Sequence, residues 1–226
     1  MTTSSTGRYA GSSAAERKAE RRGRLLETAL ELLGTEGWAG TTVRSVCAHA
    51  KLNPRYFYES FTDLDALVLA LFDEVALDTS RALLAAAAQA PAGDAEAAAR
   101  AAIGTFITHV TDDPRIARVL FAEALGNEAL ARRRLDAMHE MWGILATFGR
   151  GYYGEAAGAD PIADVAAALL VGGMTELLLA WLDGRLGLTR EQLIDDVAAL
   201  FVVTAEGAVA IARARTARGR KPRARS

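Results

Sequence analysis

Three observations on the 226-residue chain predict an all-α fold. Alanine and leucine dominate, with only five prolines to interrupt them. No β-branched run bounded by turn signals stands out. An oxygen-bearing side chain followed by proline recurs at Asn53-Pro54, Asp113-Pro114 and Asp160-Pro161, and each pair reads as an N-cap and first helical residue. Around these signals the apolar spacing gives about nine helices, over 16–36, 41–49, 53–60, 63–90, 94–111, 114–125, 127–153, 161–184 and 190–214.

In the first helix Leu26, Ala29, Leu30 and Leu33 fall at the spacing of one buried face, Gly37 closes it, and Trp38 follows as a core residue. The second helix has no carboxylate in its first turn and offers Thr41, Thr42 and Arg44 there. Free amides, hydroxyls and a guanidinium at a helix N-terminus suit a phosphate, although Thr41 as an ordinary N-cap and Arg44 as a solvated side chain would leave the same sequence.

Residues Ala50 to Asn53 then make a tight turn into a short third helix, the layout of a helix-turn-helix whose second helix enters the major groove. Here "LNPRYFYESF" concentrates four of the chain's aromatics. At about 100° per residue, Phe57 and Phe61 share a face with Leu52 and Leu64, while Arg55, Tyr56 and Glu59 point away. Tyr58 lies at the edge, where its ring packs and its hydroxyl reaches a phosphate. Arg55 suits guanine and Tyr56 a thymine methyl or phosphate; Glu59 either accepts from cytosine or, the preferred reading, orients Arg55 from i+4. Lys51 is a phosphate contact in the turn, beside Pro54 and, where capping does not consume it, Asn53.

The stretch "RLLETALELLGTEGWAGTTVRSVCAHAKLNPRYFYESFTDLDAL", residues 24 to 67, resembles the TetR family of bacterial transcriptional regulators. Ala29, Gly37, Thr42, Val43, Ala50, Tyr58, Phe61 and Leu67 stand where the family pattern expects them. Lys51 departs from it, since the family usually has glycine there and a left-handed backbone costs a lysine about 1 kcal/mol. Leu64 departs too, replacing a common lysine and its phosphate contact. The resemblance implies a helix-turn-helix head, a long connecting fourth helix and a helical body. The expected organisation is a disordered basic arm at 1–15, a DNA-binding domain at 16–75, a ligand-binding and dimerisation domain at 76–212, and a basic disordered tail at 213–226.

In the body, Ile103, Phe106 and Val110 share a face of the fifth helix with His109 beside them, and Met138, Met141, Trp142, Leu145 and Phe148 line the seventh. Spacing alone fits ordinary core. The resemblance implies a small-molecule pocket between the fourth and eighth helices, with these residues, Phe72, Phe121 and Met174 on its walls and DNA released on binding. Methionine thioethers adapt to varied ligands, and His109 is either a polar anchor or a hydrogen-bonded core residue. The last two helices are apolar round much of their circumference and carry small residues. They fit either monomer core or a homodimer bundle, and the resemblance implies the dimer.

Charge is segregated. Residues 1–24 carry six Lys or Arg against two acids, residues 213–226 carry seven against none, and the middle has thirteen basic against twenty-six acidic groups. Basic ends on an acidic body suit a polyanion partner or simply solvated tails. The single cysteine, Cys47, excludes an internal disulfide and a cysteine-rich zinc site and fits the cytoplasm. The stretch 162–182 is apolar, but Asp164 and Glu176 argue against a membrane span. No nucleophile signature, paired-carboxylate motif, metal-ligand spacing or phosphate loop stands out, so neither catalysis nor a cofactor or metal is expected.

The function expected is a dimeric regulator, most readily a repressor, bound to approximately palindromic double-stranded operator DNA and released by a small hydrophobic effector. The alternatives are a small-molecule carrier or enzyme using the body pocket, and a non-specific architectural DNA binder relying on its tails.

Overall fold

The computed structural model describes residues 13–122, 127–153 and 160–219, and no strand occurs among them. The helices are α1 (Ala14–Gly40), α2 (Val43–His49), α3 (Pro54–Tyr58), α4 (Leu64–Ala88), α5 (Ala95–Asp112), α6 (Pro114–Ala117), α7 (Glu128–Tyr153), α8 (Ile162–Leu182) and α9 (Arg190–Gly219). The helix expected to run from Pro114 to residue 125 instead gives way to a π turn over Arg118–Ala122. Of the expected arm, residues 1–12 lie outside the described residues, as do residues 220–226 of the tail. The tail expectation is corrected in part, because α9 continues as helix through 213–219.

All three acceptor-proline signals stand at a helix start, but only Asn53 and Asp113 are N-caps followed by a first helical proline; at the third, Pro161 is itself the N-cap of α8. Asn53 Oδ1 accepts from the Arg55 amide at 2.9 Å, Asp113 Oδ1 from the Arg115 amide at 3.0 Å, and Asp160 Oδ1 from the Ile162 amide at 2.9 Å. The Arg115 guanidinium, 2.7 Å from Asp113, holds that carboxyl below its ordinary pKa.

The chain forms two compact units divided inside α4, between Leu71 and Phe72. In the first unit α1 buries Leu25, Leu26, Ala29, Leu32 and Leu33, with Leu30 only at the edge of that face. Val46, Cys47 and Ala50 of α2, Phe57 of α3, then Phe61, Leu67, Val68 and Leu71 are buried with them. Phe57 is fully buried, and its ring centroid lies 5.9 Å from that of Phe61. Burial pushes the Cys47 thiol up from its ordinary pKa. Gly37 breaks α1 at φ 70° and ψ −172°, a backbone that a side chain rarely tolerates, and so sets off Trp38–Gly40 as a separate turn.

In the second unit Ile103 and Ile107 of α5 and Leu193, Val197 and Ala198 of α9 form one core cluster, flanked by Phe106, Met174, Leu177, Trp181 and Phe201. At the end of α8, the Gly184 amide donates to Trp181 O and the Arg185 amide to Ala180 O, both at 2.9 Å, with Gly184 at φ 71°. This is a Schellman cap. The Trp181 indole closes the turn by donating to Leu188 O at 2.8 Å.

Both α8 and α9 are long and apolar enough to cross a bilayer by length and composition. A packed helix of a bundle passes the same test.

Candidate nucleic-acid interface and body cavity

At the start of α2 the N-cap is Thr42, one residue later than expected. Its hydroxyl accepts from the Ser45 amide at 3.0 Å, and Ser45 Oγ accepts from the Thr42 amide at 2.8 Å, a reciprocal capping box. Thr41 is buried and donates its hydroxyl to Gly37 O at 2.9 Å, so it presents no free hydroxyl at the surface. Thr42 and Arg44 are exposed, and the first turn holds no acid.

The turn after α2 has the same cap as α8. The Lys51 amide donates to Ala48 O at 3.2 Å and the Leu52 amide to Cys47 O at 3.0 Å. Here the left-handed position is filled by Lys51, at φ 53° the one non-glycine with positive φ among the described residues. Where Gly184 occupies that place in α8 without strain, Lys51 carries a Cβ through it. Its side chain is exposed.

On α3, Asn53 spends its side-chain oxygen on the cap, leaving the amide nitrogen as a donor. Pro54 is exposed, and Arg55 is 83% exposed with its Nε 3.3 Å from Glu59 Oε1. That places Glu59 as an orienting partner for Arg55. Tyr56 is 37% and Tyr58 61% exposed.

Two arginines of α1 complete this surface. Arg21 lies 4.4 Å over the Tyr56 ring and 3.5 Å from Glu59 Oε2, and Arg24 donates to Ala50 O at 2.6 Å, capping α2. Tyr56 and Arg55 are thus each steadied by a neighbour of opposite character. Arg21 and Arg24 stand in the basic run of the first 24 residues, which charge counting flags but cannot aim.

The second unit holds a cavity of about 230 Å³ among α4, α5, α7, α8 and α9. Six of the expected pocket residues line it: Ile103, Phe106, Met141, Leu145, Phe148 and Met174. The other six are not on its wall. Phe72 is buried with the Arg133 guanidinium 5.8 Å from its ring, Val110 is fully buried, and Phe121 meets Phe106 edge-on at 6.3 Å. Met138 Sδ lies 4.0 Å from Arg134, Trp142 packs edge-on against His139 at 4.5 Å, and His109 faces a separate open groove with Arg100, Asp112 and Asp113. The wall residues that spacing missed include Leu83, Leu84 and Ala87 of α4 and Phe201 of α9. The wall's two hydroxyls are spent on the helix backbone, Ser80 on Ala76 O at 2.8 Å and Thr175 on Val171 O at 3.1 Å. This cavity suits an apolar occupant. Among the described residues no group of three or more His, Cys, Asp or Glu side chains is placed to hold a metal ion.

Residues 25–71 match the family model for bacterial regulatory proteins of the tetR family. Among solved structures, the chain is similar to a protein described as a transcriptional regulator from Pseudomonas aeruginosa PAO1, with 26% identity, a TM-score of 0.70, and 92% of this chain and 97% of that one covered. It is also similar to a protein described as a TetR-family transcriptional regulator from Syntrophomonas wolfei, with 14% identity, a TM-score of 0.68, and coverage of 83% and 95%. The fatty acid degradation regulator FadR from Bacillus halodurans has 16% identity, a TM-score of 0.66, and coverage of 80% and 94%. These last two likenesses are of fold.

Proposed function

From a TetR-type helix-turn-helix at residues 25–71 within the fold of TetR-family regulators, we propose a dimeric, sequence-specific repressor released from an approximately palindromic operator by a small apolar ligand. The observation that carries this reading is the exposed α3 surface. Arg55 and Tyr56 stand free of the core that Phe57 anchors, in position to read base edges. Thr42, Arg44, Lys51, the Asn53 amide and Tyr58 surround them as phosphate contacts. No catalytic role, cofactor or metal enters this reading, and such a regulator works in the cytoplasm.

The dimer is supported by apolar faces that the single chain leaves uncovered. Val165 and Leu169 of α8 are 60% and 66% exposed, and Leu200 and Val203 of α9 are 59% and 64% exposed. A Cβ added at Gly172, Gly173 or Gly207 would meet nothing within 4 Å. Their smallness therefore serves no packing among the described residues and leaves room for helices of a second copy. Two-fold symmetry would then present two α3 helices to two half-sites.

Release follows from α4. It gives Leu67, Val68 and Leu71 to the core of the head and Leu83, Leu84 and Ala87 to the cavity wall. A ligand that favours one placement of that wall biases the same helix that carries the head.

The test is titration of labelled palindromic DNA in rising salt. Affinity should fall linearly in log–log form and exceed that for random duplex. A flat response, or no preference over random duplex, would refute specific binding.

A further inference from the structure

A second cavity, of about 110 Å³, lies among α5, α7, α8 and α9. It shares four wall residues with the larger one: Ala99, Leu145, Phe148 and Phe201. The two are therefore neighbours with a common partition. Each falls below the size of ordinary small-molecule sites, on the order of 300 Å³ and upward, and together they reach it. A compact ligand fits neither well, whereas a long thin one can use both.

The walls also assign a polar end. Arg150, at the smaller cavity, is the one charged side chain lining either among the described residues. Its Nη2 donates to Thr147 Oγ1 at 3.0 Å, and Nη1 stands 3.9 Å from Asp164 Oδ1, too far for a hydrogen bond. Asp164 is 74% exposed and so well hydrated, and it neutralises the guanidinium only weakly. Against the described residues, most of the five guanidinium donors remain for a planar anion, and a carboxylate matches their fork.

We propose that the effector is an elongated monocarboxylate, its head on Arg150 and its alkyl chain running through the smaller cavity past Phe148 into the larger. This rests on reading the body cavity as the effector site. It replaces His109 with Arg150 as the polar anchor, and a purely apolar effector with an amphiphile.

Calorimetric titration of the full chain, at concentrations below micelle formation, tests it with dodecanoate, dodecan-1-ol, dodecyltrimethylammonium and hexanoate. Dodecanoate should bind about tenfold or more tighter than the alcohol, as a charge-assisted hydrogen bond predicts, and the cation should bind weakest. Hexanoate should bind more weakly than dodecanoate. Arg150→Gln, with folding checked by circular dichroism, should erase the preference for carboxylate over alcohol while leaving alcohol affinity within about twofold. Phe148→Ala should shift the preference toward longer carboxylates by opening the partition.

Equal binding of alcohol and carboxylate, equal weakening of both by Arg150→Gln, or no binding of any probe would overturn the proposal. The same preparations titrated with operator DNA, without probe, report separately on the regulator reading. Loss of operator preference there would sink that reading whatever calorimetry finds.

Discussion

Lys51→Gly should make the protein more stable and a weaker DNA binder at once. Lys51 fills the left-handed position of a Schellman cap at φ 53°, the place that Gly184 fills at φ 71° in α8. A Cβ in that conformation costs about 1–2 kcal/mol. The added freedom of glycine in the unfolded chain takes back about 0.4–1 kcal/mol. The midpoints leave a net gain of about 0.8 kcal/mol, which at roughly 2–4 °C per kcal/mol for a chain of this size is a rise of about 2–3 °C. Urea unfolding followed by circular dichroism measures it, with Lys51→Ala as the control that keeps the Cβ and should show no gain. The same variant lacks the ammonium proposed to meet a phosphate in each of the two heads, so the log K against log salt slope of the dimer should be shallower by about 2. If Lys51→Ala stabilises as much as Lys51→Gly, the strain does not reside in the backbone. An unchanged salt slope would refute the phosphate contact.

Phe57→Ala removes a fully buried ring and should cost about 3–5 kcal/mol, read as loss of the first unit's protection in amide hydrogen exchange. Arg55→Ala, at a side chain 83% exposed, should leave unfolding midpoints unchanged and relax preference at one base position by about 1–3 kcal/mol in competition binding; a melted protein would show that the faces of α3 are misassigned. Leu169→Glu combined with Val203→Glu should convert the dimer to monomer by light scattering, and a dimer that survives both would place the interface elsewhere.

What could be read from the sequence was what local chemistry encodes. Asn53-Pro54, Asp113-Pro114 and Asp160-Pro161 announce helix starts because cap and fixed φ act within three residues. The division of labour in "LNPRYFYESF" followed from helical angle for Phe57 inside and Arg55 outside, whereas Tyr58, expected at the edge of the core face, is 61% exposed and Tyr56, expected to point away, only 37%. Features joined across long separations stayed hidden. Arg21 reaches Glu59 and Arg24 reaches Ala50, and no pattern along one helix aims a side chain at another. Thr41 and Thr42 were indistinguishable as caps until the break at Gly37 fixed which one turned inward. The cavity was half visible. Met141, Leu145 and Phe148 stood out as an apolar stripe, but Ala87, Ala98, Ala99 and Ala102 shape the space by being small, and in sequence they read as helix propensity.

If the uncovered apolar rows on α8 and α9 are the dimer interface proposed above, concentration becomes a structural variable. In the proposed dimer, the surface that Leu169 and Val203 present to water would be withdrawn when a second copy arrives, so folding and association would draw on the same burial. The melting temperature should climb as the protein is concentrated, and dilution should act as a denaturant. Well below the dissociation constant, the amount of DNA-competent dimer rises as the square of the amount of chain. A modest change in synthesis would then be felt as a disproportionate change in operator occupancy.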